Sequence, residues 1–156
     1  MQFKLLLETR KQNQIHNLHD TEAPMPGELL EAQSLRAKYL GALHRPTAVS
    51  YTYNCHGLTF SSRRTQIIDP AEVRKILTQD SYQKIERADI LSGDIVVYVG
   101  PEGDIEHSGI IMEVDKTMLI PIPLVLSKWG VAHEVVHRLP YCPYVSTNVE
   151  FYRVVS

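Results

Sequence analysis

From residue 90 onward the chain is built of short runs rich in β-branched and aromatic residues, and this change of texture constrains the fold more than anything else in it. The runs are ILSGDIVVYVG (90–100), HSGIIMEVD (107–115), LIPIPLVLSKWG (119–130), HEVVHRL (133–139) and VEFYRVV (149–155). Each has the composition of a strand bounded by turn residues. The earlier part reads as helix instead. Leu30, Ala37, Tyr39 and Leu40 fall roughly on one side of a helix over 29–43, with Glu28, Glu31 and Arg36 elsewhere and Pro46 beyond its end. A second helix opens at Cys55. A third starts at Asp69-Pro70-Ala71-Glu72, with Asp at the cap and Pro at the first helical position, and carries Val73, Ile76 and Leu77. Helices first and strands after predict an α+β domain with an antiparallel sheet. At 156 residues the chain is one domain, 1–156, with no repeat and no linker. Residues 1–28 form its N-terminal arm, partly extended, because 10–28 are polar and end in Pro24, Pro26 and Gly27.

Charge removes several functions. The formal net charge is −2 and lysines and arginines are not clustered, so no nucleic-acid partner is expected. No apolar run approaches the roughly 18–20 residues of a membrane span, so no membrane partner is expected either. Apolar residues near the N-terminus (Phe3, Leu5, Leu6, Leu7) are too few for a secretory signal, which points to a cytoplasmic location. Two distant cysteines, Cys55 and Cys142, make no disulfide framework. His133 and His137 frame HEVVH, which fits the zinc-helix pattern H-E-x-x-H. Yet Val135-Val136 lies between a nearby glycine and proline and reads as a strand, so neither metal nor cofactor is expected.

The segment YTYNCHGLTFSSRR (51–64) sets a cysteine at a polar break where a helix begins. A thiol at a solvent-facing helix start feels the positive helix end, which favours thiolate. Free amides there can stabilise an oxyanion, and Gly57 permits close approach of substrate or chain. A nucleophilic cysteine also needs an imidazole. His107 stands at the mouth of the strand HSGIIMEV, after the polar loop PEGDIE. Residue types alone leave it either pointing into a cleft or lying on the surface.

NCHGLTF resembles the DCSGLV nucleophile segment of the NlpC-type papain-like cysteine peptidases, relatives of the CHAP amidases. LSGDIVVYVGPEGDIEHSGIIMEV resembles that family's second block, a P-G-D-L-V-F-F strand, a variable loop and S-H-V-G-I-Y. The match covers roughly residues 50–115, with Asn54 in place of the usual Asp and His56 in place of Ser. The resemblance implies a papain-like fold, the Cys-bearing helix packed on an antiparallel sheet or half-barrel, with Cys55 as nucleophile and His107 as its imidazole. It also implies a polar residue on the next strand to orient that ring. Ser127 can accept a hydrogen bond there and Lys128 cannot, so Ser127 is the expected third residue, with His133 and His137 as fallbacks. Tyr53 is placed to offer a hydroxyl to an oxyanion, or to pack. Asn54, His56 and Trp129 complete the expected substrate side, His56 being read as substrate-facing or simply exposed, and Trp129 as core or cleft wall.

The expected activity is cleavage of amide or peptide bonds through a thioester, on peptides or peptidoglycan stem fragments. Transfer of the acyl group to another acceptor uses the same pair. A papain-like module that binds a peptide without cleaving it is the alternative.

Overall fold

In the computed structural model, which describes residues 1–156, the chain forms three α-helices and nine strands. A short antiparallel pair, β1 (Gln2–Phe3) with β2 (His19–Asp20), precedes α1 (Pro26–Lys38) and β3 (Leu43–His44). Then come α2 (Cys55–Phe60), α3 (Pro70–Gln79) and β4 (Tyr82–Ile85), followed by β5 (Ile95–Val99), β6 (Ile105–Asp115), β7 (Ile122–Lys128), β8 (Glu134–Arg138) and β9 (Val149–Val154). Seven strands make one sheet in the order β3-β8-β7-β6-β5-β9-β4, every pairing antiparallel. The α+β class is as the sequence predicts.

Local chemistry explains the helix starts. At α3 the Asp69 carboxylate accepts from Ala71 N–H at 2.9 Å and Pro70 takes the first position. At α1 the expectation fails by three residues. Pro26 opens the helix instead of ending the arm, and Glu28 reaches back to the Met25 N–H at 2.9 Å. Its inner face is also different: Ala32 and Tyr39 are buried, with Leu35 packed beside them, while Leu30 and Leu40 stand in solvent. The mixed polarity of PGELLEAQSLRAK hides that face. Leu43, read as helix, is instead the first residue of an edge strand.

Strand β5, IVVYV, is buried on both sides and divides the core. Val96 and Tyr98 face a cluster with Ala32, Tyr39, Ile111, Val125, Trp129 and Val135. Ile95, Val97 and Val99 face another with Ile15, Ile67 and the α3 residues Val73, Ile76 and Leu77. Alternation along the strand makes this division, and each such side chain removed from water contributes about 1.5–3 kcal/mol.

The N-terminal arm is built into the second cluster. Ile15 is buried, and Leu18 bridges to Gln66. Buried Asn17 ties three segments together. Its amide nitrogen donates to the Leu5 and Ile15 carbonyls at 2.9 and 3.0 Å, and its oxygen accepts from Leu5 N–H and Thr65 Oγ1 at 2.9 and 2.8 Å. No helix is long and apolar enough to cross a membrane.

Candidate active site

Asn54 caps α2. Its Oδ1 accepts from Gly57 N–H at 2.9 Å and from Ile67 N–H at 3.1 Å, while Nδ2 donates to the Ile67 carbonyl at 2.8 Å. An aspartate would lack that donor, which accounts for the amide at this position. With these bonds made, the Asn54 side chain seats the helix. Gly57 serves the chain itself. A Cβ added there would lie 1.9 Å from the Thr65 carbonyl oxygen, so the following loop closes directly on the helix.

Cys55 is the first residue of this six-residue helix and is only 7% exposed, so the expectation of a solvent-facing thiol is corrected. Helix α2 lies against β6 and β7, which turns both of its first residues inward. His56, read as substrate-facing or simply exposed, is 3% exposed, which removes the second alternative. Its Nδ1 lies 2.7 Å from Ser108 Oγ on β6. Burial pushes the Cys55 thiol up, but the charge of His56, and after it that of His107, holds it well below the ordinary thiol value. Burial likewise pushes His56 down, and the Cys55 anion reverses this and leaves it raised.

His107 sits on β6 opposite Tyr98 and is fully buried. Its ring stacks on Tyr144 with centroids 3.7 Å apart and planes 6° apart, and meets the edge of Tyr98 at 5.0 Å. Neither ring nitrogen makes a hydrogen bond. Its charge acts on Cys55, and the stacked Tyr144 ring sets its plane.

Ser127 does not orient His107. Its hydroxyl lies 2.8 Å from His137 Nε2, across the hairpin. Because His137 Nδ1–H donates to the Arg138 carbonyl at 2.8 Å, Nε2 is the acceptor and Ser127 the donor. The β7–β8 register decides this by setting Ser127 opposite Val135, on a strand that His137 shares. His133 Nε2 is 2.7 Å from His44 Nδ1, so neither fallback histidine reaches His107 either. HEVVH is His133 followed by the first four residues of strand β8, and no three His, Cys, Asp or Glu side chains converge as a metal site.

Tyr53 is also committed elsewhere. Its hydroxyl donates to Glu134, a buried carboxylate that accepts Nε and NH2 of Arg63 at 2.7 and 3.0 Å and NH1 of Arg45 at 3.2 Å. It offers nothing to an oxyanion. The Tyr53 ring instead lies under the Lys128 ammonium, 5.0 Å from its centroid. Lys128 is wholly buried and donates to the Ser50 and Gly130 carbonyls at 2.8 and 3.1 Å. Burial lowers it to about 8 against the opposing pull of Cys55 and Glu134.

Trp129 is core, packed edge-on to Tyr39 at 5.0 Å, and it also lines a cavity of about 230 Å³ with Glu31, Leu35, Pro143 and Tyr144. Cys55 does not line that cavity. Tyr144 connects the two, with one face on His107 and a place in the cavity wall.

Sequence reasoning missed Ser108, Thr59, Glu134 and Tyr144, and weighed Lys128 only as an acceptor for His107. Ser108 alone carried a signal, as the neighbour of His107 in the quoted HSG. No family model, curated protein or solved structure matches the chain.

Proposed function

We propose that the chain is a cysteine hydrolase of amide bonds with Cys55 as nucleophile, arranged in the papain-like manner. One observation carries this reading: a buried cysteine at a helix start is flanked by two imidazoles whose charge outweighs burial and favours the thiolate. A buried cysteine without such partners goes the other way, as Cys142 does. Helix α2 against β6, with His107 on that strand, supports the papain-like arrangement.

In the reaction the thiolate attacks the substrate carbonyl and an S–C bond forms. The proton that left the thiol reaches the departing nitrogen through an imidazole, and the C–N bond breaks. Water then cleaves the thioester and restores the thiol and imidazole. His107 is the shuttle that the resemblance implies. Peptides, including peptidoglycan stem fragments, are the substrate class proposed. The enclosure of Cys55 favours a second reading, a module that binds peptide without cleaving it.

Iodoacetamide labelling, resolved to each cysteine by mass spectrometry, separates them. Cys55 should label well below pH 8 while Cys142 does not. Ordinary thiol kinetics at Cys55, with the rate falling about tenfold per pH unit below ~8.5, would sink the hydrolase reading.

A further inference from the structure

We propose that His56, the residue beside the nucleophile, is the base that keeps Cys55 ionised, its tautomer fixed by hydroxyls of Thr59 and Ser108. This rests on the reading of Cys55 as a nucleophile.

The direction of each hydrogen bond follows from the one before it. Thr59 Oγ1 lies 2.9 Å from the Cys55 carbonyl oxygen, which can only accept, so the Thr59 hydrogen points there. Ser108 Oγ lies 3.0 Å from Thr59 Oγ1. Because the Thr59 hydrogen is already placed, Ser108 is the donor in that contact. Its own hydrogen is then used, and toward His56 Nδ1, at 2.7 Å, it presents a lone pair. His56 Nδ1 therefore carries a hydrogen and Nε2 is left as the proton acceptor. The step is a single transfer. The Cys55 S–H bond breaks, its electron pair stays on sulfur, and the proton forms the Nε2–H bond.

The other groups facing Cys55 are less suited. His107, from β6, has no hydrogen bond to fix which nitrogen is bare. Lys128, from β7, points its ammonium at two backbone carbonyls and has no lone pair while charged. Tyr144, from the connection between β8 and β9, is pushed up by burial and stays neutral. Of the two imidazoles whose charge acts on Cys55, only His56 has a ring nitrogen held by a hydrogen bond. The nearby Ile105 carbonyl further favours its protonated ring.

The test is the pH profile of Cys55 alkylation in the full chain, for wild type, His56→Gln, Ser108→Ala and His107→Gln. At pH 6 His56→Gln should lose about tenfold or more of the wild-type rate, with Ser108→Ala between the two and His107→Gln losing less. If His56→Gln stays within about twofold of wild type while His107→Gln collapses, the inference is overturned and the hydrolase reading survives. An ordinary thiol profile in wild type itself removes both. Should His56→Gln not fold, nitrogen NMR of wild type decides. At pH 7 His56 should carry protons on both ring nitrogens, and a single proton on Nε2 would refute the proposal.

Discussion

His56 and His133 are almost equally inaccessible, at 3% and 0% exposure, yet their titrations move in opposite directions. His133 is lowered to about 4, first by burial and then by the positive charges of Arg36, His44 and Lys128. His137, four residues further on and within β8, is lowered to about 4 by burial, against the pull of the Arg138 carbonyl. His56 meets the same penalty and is raised, because its neighbour is a sulfur that becomes an anion. Burial has one sign in all three. The partner decides the outcome, which is why a histidine count reveals so little about chemistry.

The largest test removes the anion. Cys55→Ala should cost turnover roughly 10⁴-fold or more, as loss of a nucleophile does. It should also drop the His56 titration, followed by NMR, below the ordinary ~6.5 and toward that of His133. A His56 titration that stayed raised would mean that something other than the thiolate holds the proton.

Acid probes the other group. For His133 and His137 the folded value is depressed, so below about 6.5 the unfolded chain takes up protons that the folded chain refuses until about 4. Stability therefore falls with pH across that window, by roughly 1.4 kcal/mol per pH unit for each. His56 has the reverse sign: its contribution is complete below ~6.5 and fades as pH rises through its raised value. The depressed Cys55 loses its contribution progressively as pH falls from the ordinary thiol value of ~8.5 to its own folded value. Urea midpoints at pH 6.5 and 4.5 measure the difference, and His137→Gln should flatten the slope. Equal midpoints would erase the contrast between the two histidine groups.

A smaller effect tests their independence. Ser127→Ala removes the donor to His137 and should cost about 1 kcal/mol, leaving the Cys55 alkylation profile where it was. A shifted profile would show that the two groups are one.

Rules confined to a few neighbouring residues were legible in the sequence. The Asp69-Pro70 start, the opening of α2 at Cys55 and the five runs from Ile95 to Val154 needed only capping and β-branched texture. Pro26 was misjudged because proline both breaks a chain and begins a helix, and the glycine after it favoured the first reading. Ser127 was misassigned for a different reason. Its partner depends on which residue of β8 lies opposite, a register that two unseen strands settle between them. His56 was read as substrate-facing or exposed, and not as a partner of Cys55, because adjacent helical residues point about 100° apart. That spacing says nothing when the first turn is wedged against a sheet and both directions are interior. The side chains of Glu134 and Lys128, both polar and both buried, follow from no local pattern at all.

Asn17 gives the first twenty residues a consequence that the word arm conceals. Through it Leu5 is joined to Thr65, and the Thr65 carbonyl is the atom on which Gly57 closes. The seat of Cys55 is thus a non-local object, assembled from pieces 48 residues apart in the chain. It forms only when both are in place, so aligning Cys55 carries the loop-closure cost of that span. A trimmed chain that kept every residue of the thiol–imidazole pair would still lack the support that holds it in place.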